Sequence, residues 1–121
     1  MSTIRVDNFG PSAGGTTYSA RGIAKAWVNF DGTGTIAARD SENVSSLTDN
    51  GTGLYSVNLT NAFAANDYVA SLNSEIGGGN GGFNQLASTA SATDMYFVAY
   101  TNAGSLRDVN RAMIAGWGDL A

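Results

Sequence analysis

Residues 22–59 read GIAKAWVNFDGTGTIAARDSENVSSLTDNGTGLYSVNL, and the fold is decided there. In residues 23–30, Ala24, Ala26, Val28 and Phe30 fall on one face, while Ile23, Lys25, Trp27 and Asn29 fall on the other. A period of two is the signature of a strand. Asp31-Gly32-Thr33-Gly34 follows as a turn, and residues 35–39 make a second strand, so the pair predicts a β-hairpin. Residues 40–45 (DSENVS) form a polar crossing segment. Residues 49–53 (DNGTG) are the strongest turn signal in the chain, set between the alternating runs 44–48 and 54–59. Tyr55, Val57 and Leu59 share a face opposite Ser56 and Asn58, which predicts a second hairpin with one face buried and one wet.

The same reading extends outward. Residues 67–72, 84–90 (centred on Leu86), 94–102 and 108–117 read as further strands, and DMYFVAYTN at 94–102 has the aromatic and β-branched content of a central one. Residues 60–66 suit either a short helical turn or an irregular loop, and residues 77–82 (GGGNGG) a glycine-rich excursion. At the other end, residues 1–6 suggest a short strand, and residues 9–17 (FGPSAGGTT) have loop chemistry and hold the only proline. We therefore expect an extended N-terminal arm over 1–22 and a domain over 23–121. The domain is all-β: a small antiparallel β-sandwich of about seven or eight strands. Jelly-roll and immunoglobulin-like topologies both remain open, and a small barrel is the alternative.

Composition narrows the chemistry. The chain has 121 residues, no Cys and no His, and only 13% charged side chains, about half the usual share. It has 12 Ser, 11 Thr and 12 Asn, so its surface is built from small neutral polar groups. Disulfides, thiolate nucleophiles and Cys- or His-ligated metals are excluded, as is a histidine general base. A net charge of -4 argues against nucleic acid as a partner. No apolar run approaches the length of a membrane span, which argues against membrane insertion, and residues 1–8 do not resemble a signal peptide. No cofactor is expected.

The ten carboxylates include Asp31, Asp49 and Asp67 at the starts of turns, where Asp bonds the local backbone. Nothing marks two of the ten as the pair a glycoside hydrolase needs, so no catalytic or metal-binding residue is expected. The glycine-rich segment lacks the Gly-Lys-Ser/Thr of a phosphate loop. Trp27, Tyr18, Tyr55 and Trp117 have flat faces suited to stacking on sugars; the plainer reading places them in a core or a subunit interface. Residues 23–30 are apolar on both faces, which calls for a second burial surface, and self-association supplies one.

A likeness adds to this reading. The run from Lys25-Ala26-Trp27-Val28-Asn29-Phe30 through the Gly-Thr-Gly turn, Arg39-Asp40-Ser41, Asn43-Val44-Ser45-Ser46 and Thr48-Asp49-Asn50-Gly51-Thr52-Gly53 to Tyr55-Ser56-Val57-Asn58 resembles a module of tail-fibre and related virion proteins of tailed, especially marine, phages. Residues 2–7 (STIRVD) also look like the start of such proteins. The likeness continues loosely through Asn61-Ala62-Phe63 and Asn66-Asp67-Tyr68, so that it spans about half the chain. It implies a non-enzymatic, homotrimeric component of the particle surface, in a tail fibre or tail accessory part or as a capsid decoration protein. Such a protein would be made in the host cytoplasm without a signal peptide. Its partners would be other virion proteins, and host surface polysaccharide in the alternative reading of a receptor-binding module. On this reading Ile23, Trp27 and Trp117 are candidates for self-association, and Ile4, Val6 and Phe9 for attachment to the particle. Tyr18, Tyr55 and Asn80 are candidates for glycan contact, with loops 40–43, 77–84 and 102–108 around them.

Overall fold

A computed structural model describes residues 2–75, 82–87 and 90–121. Among the described residues ten strands run in chain order: β1 (Asn8–Phe9), β2 (Tyr18–Ser19), β3 (Ala26–Asp31), β4 (Ala37–Glu42), β5 (Val44–Gly51), β6 (Leu54–Leu59), β7 (Val69–Glu75), β8 (Gly82–Leu86), β9 (Asp94–Thr101) and β10 (Arg111–Trp117). β3 to β10 build two four-stranded antiparallel sheets, one in the order β4-β3-β10-β7 and the other β5-β6-β9-β8. The expected all-β sandwich is the fold. Its strand order is not the ABED/CFG order of immunoglobulin domains.

Alternation fixes which faces meet. Ala26, Val28 and Phe30 of β3 and Ala112 and Ile114 of β10 point inward from the first sheet. Tyr55 and Val57 of β6 and Met95, Phe97 and Ala99 of β9 point inward from the second. Phe30, Tyr55 and Phe97 form the central aromatic cluster, with Phe30 meeting the other two edge-on at 5.2 and 5.9 Å between ring centres. Such geometry sets the positive ring edge against the negative face. Phe63 and Tyr68, from the connection between β6 and β7, stack at 4.4 Å and close one end of the core.

Both predicted hairpins are present. Asp31 makes the first turn by accepting from the backbone N–H of Thr33 at 2.9 Å and from its hydroxyl at 2.6 Å. Asp49 makes the second by accepting from the N–H of Gly51 at 2.9 Å. The polar crossing segment is shorter than expected. β4 runs on to Glu42, β5 starts at Val44, and Asn43 alone carries the chain from one sheet to the other with φ +57. Its amide ties the corner to Asn61, donating to the carbonyl at 2.9 Å and accepting from the N–H at 2.7 Å.

Other elements shift. The strand expected over 84–90 is set at Gly82–Leu86 by its register with β9, where Gly82 faces Thr101 and Leu86 faces Phe97. The strand expected from Ile23 begins at Ala26, because Ala20–Gly22 form a 3-10 turn capped by Ile23, and the Ala20 and Ile23 carbonyls accept from the Lys25 ammonium. The short strand expected over 1–6 does not form in residues 2–6, which have no neighbouring strand to pair with. Nor does the N-terminal segment run extended throughout. β1 and β2 double back as a two-stranded ribbon, with Asn8 facing Ser19 and Phe9 facing Tyr18. Residues 2–19 are exposed throughout, Ile4 at 88%.

Candidate functional site

The outer face of the first sheet carries Trp27, Met113, Ala115, Trp117 and Val69 among polar residues, more apolar bulk than a solvated face needs. Cross-strand register lays Trp27, Ala115 and Ser71 in one row and Asn29, Met113 and Asn73 in the next. Trp117 faces Val69, which is 68% exposed. Small side chains in the middle of the first row, with the two tryptophans to either side, leave a groove of about 310 Å³ lined by Trp27, Asn29, Met113 and Trp117 among others. The Oδ1 of Asn29 is buried there and meets no donor among the described residues. A buried acceptor without a partner is uncommon and costs about 1–3 kcal/mol, so its environment requires an explanation. Glu42 faces Trp27 from the edge strand β4 and is exposed.

A second, more polar groove of about 510 Å³ lies where the N-terminal segment joins the sandwich, lined by Ser19, Arg21, Asp67, Val69 and Trp117. Arg21 is held there by an ion pair to Asp119 at 2.9 Å, with both side chains well exposed. The junction is also fixed by the N–H of Lys25 donating to the Gly116 carbonyl at 2.8 Å. Asp67 contributes to this groove.

The candidate residues separate clearly. Trp27 and Trp117 come together on one groove; Ile23, 52% exposed, lies outside it beside the 3-10 turn. Ile4, Val6 and Phe9 are exposed along the N-terminal segment, and Phe9 meets Tyr18 across the ribbon at 6.2 Å. Tyr18 is 61% exposed. Tyr55 is corrected. It is fully buried, and its hydroxyl donates to the Gly32 carbonyl and bonds Asp108, each at 2.9 Å, so it offers no ring to a sugar. Its alternation with Ser56 had placed it on the Val57 face, and that face is the core. Asn80 and residues 77–81 lie outside the described residues. Residues 40–42 are strand rather than loop.

Met113, Ala115 and Val69 escaped the sequence reading as site residues. Their signal was present in RAMIAGW, where Met113, Ala115 and Trp117 alternate with Ala112, Ile114 and Gly116. What alternation omits is which of two apolar faces a neighbour covers. Among the described residues no group of three or more His, Cys, Asp or Glu side chains is placed to hold a metal, and no helix is long and apolar enough to cross a membrane. Comparison with protein-family models, with curated proteins and with solved structures finds no match.

Proposed function

We propose that this chain is a non-enzymatic structural component of a tailed-phage particle, tail-associated or a capsid decoration protein, that self-associates as a homotrimer. Residues 1–22 would anchor it to other virion proteins. The phage setting rests on the likeness of residues 22–59 to virion modules. The assembly role is supported by one structural observation, the apolar groove between Trp27 and Trp117 on a face that the chain's own core does not use. Apolar faces of this kind, rimmed by neutral polar residues, mark surfaces that other chains cover. The many Ser, Thr and Asn side chains allow such coverage without desolvating many ions.

Purified particles test the role. Mass spectrometry should find the chain in them in multiple copies, and deletion of residues 1–20 should abolish its incorporation. Particles that lack the chain would overturn the reading, and normal incorporation of the truncated form would overturn the anchoring role.

A second reading, recognition of host surface polysaccharide, is favoured by the polar groove. It sets the Trp117 ring beside the Ser19, Arg21 and Asp67 side chains, the mixture of flat apolar and hydrogen-bonding groups that a pyranose needs. Binding on a glycan array, lost in Trp117→Ser and Asp67→Ala, would support it. Silence across host polysaccharides would count against it.

A further inference from the structure

We propose that the groove between Trp27 and Trp117 is the receptor for residues 2–7 of a second copy of this chain, so that neighbouring copies exchange their N-terminal segments. The proposal deepens the assembly reading above and rests on it, because it names the occupant of that face; it takes residues 2–7 for contact between copies and leaves residues 8–22 for anchoring to other virion proteins.

Two unpartnered surfaces in one chain complement each other. Residues 2–7 (STIRVD) place Ile4 and Val6 on one side of an extended run, and both are exposed. The groove offers Trp27, Met113, Ala115 and Trp117 to receive them. Charge agrees locally. Residues 2–7 carry Arg5 against Asp7, whereas residues 23–121 carry four basic side chains against nine acidic ones, so Arg5 meets a negative body. Glu42, exposed next to Trp27 on the edge strand, supplies a carboxylate beside the groove for Arg5. The buried Oδ1 of Asn29 lacks a donor, and an incoming peptide brings backbone N–H groups and the hydroxyls of Ser2 and Thr3.

The segment comes from a second copy because residues 2–19 of the chain itself are all exposed and none of them lines its own groove. Six residues in extended form span about 20 Å beyond the ribbon, enough to cross a sheet of four strands spaced ~4.8 Å apart. Each copy then gives one segment and offers one groove. Such a head-to-tail contact forms a ring when the rotation between copies closes, a trimer being the three-copy case, and differs from a face-to-face dimer.

The head-to-tail geometry gives a distinctive test by light scattering of purified protein at micromolar concentration. The full chain should associate. A chain lacking residues 2–7 should be monomeric, and so should Trp27→Ser, with association weakened about 30-fold or more. Mixed together, these two should form a 1:1 heterodimer and nothing larger, since only one intact segment meets one intact groove. Ile4→Asp with Val6→Asp changes only exposed side chains, so its failure to associate is not a folding failure. A peptide of residues 1–10 should shift the tryptophan fluorescence of the shortened chain, and the doubly substituted peptide should not. Undiminished association of the shortened chain, a monomeric full chain, or a mixture that forms no heterodimer overturns the exchange. A groove that binds oligosaccharide or another particle protein but ignores the peptide also overturns it. Membership of the particle is read on particles, so either result can fail while the other stands.

Discussion

Gly53 holds the turn between β5 and β6 at φ +68, and a Cβ there would lie 2.7 Å from the Ala99 carbonyl oxygen and 2.8 Å from the Arg107 nitrogen. Its N–H donates to Asp108 at 2.8 Å, and the same carboxylate oxygen bonds the Tyr55 hydroxyl. Glycine, carboxylate and phenol thus lock the β5–β6 turn to the chain entering β10. Gly53→Ala meets backbone on two sides and should cost roughly 2–4 kcal/mol by urea denaturation. Gly34→Ala, at φ +57 with open space around it, should cost only about 1 kcal/mol. The buried tyrosines also set a pH limit. Burial pushes Tyr68 up to about 12, with Asp94 adding to the shift, and burial together with the bond to Asp108 pushes Tyr55 up as well. Both groups are held neutral in the fold above the ordinary value of 10. Their contribution is therefore complete below pH 10 and is lost as pH rises through the folded value. The urea midpoint should fall between pH 10 and 12, and Tyr68→Phe should flatten that fall. An equal slope in the variant would contradict this.

At the scale of elements, the Asn43 corner is the feature to perturb. One residue turns the chain between sheets, so its conformation and its two bonds to Asn61 act together. Asn43→Ala loses both bonds and retains the strain, and should cost about 2–3 kcal/mol in thermal or urea unfolding. Asn43→Gly relieves the strain and should recover about 1 kcal/mol of that. The elements also show where the sequence was legible. Local pattern was enough for the β3–β4 and β5–β6 hairpins, because Asp31 and Asp49 act through neighbours two residues away. It was enough for the inward faces of β3, β6 and β9, because alternation is a property of the strand alone. Sheet order was not legible. β10 pairs residues 111–117 with β3 and β7, some forty to ninety positions earlier, and nothing local encodes that choice. The site was half legible for the same reason. Trp27 and Trp117 could be named as apolar outliers, but their common groove exists only once β3 and β10 are neighbours.

At the scale of the whole molecule, the residues that build the core and the exposed N-terminal residues separate along the chain. Residues 2–17 contribute no buried side chain. Deleting them should leave the unfolding free energy of dilute protein, measured by urea denaturation, within about 0.5 kcal/mol of the full chain, while association changes; a large loss of stability would show that they pack on the sandwich. Deleting residues 111–121 should instead prevent folding, since β10 is the middle partner of both β3 and β7. That placement bears on the order of events at the ribosome. Of the eight sandwich strands β10 is the last to be synthesised, yet it belongs in the interior of its sheet. The second sheet has all four strands in hand once β9 emerges, whereas the first waits with two facing strand edges open. A newborn chain therefore passes through a half-closed stage in which the β10 of a sibling on the same message fits the gap as well as its own. Crowded synthesis should accordingly yield strand-swapped chains, and sparser initiation on the message, which spaces siblings apart, should favour correctly closed ones.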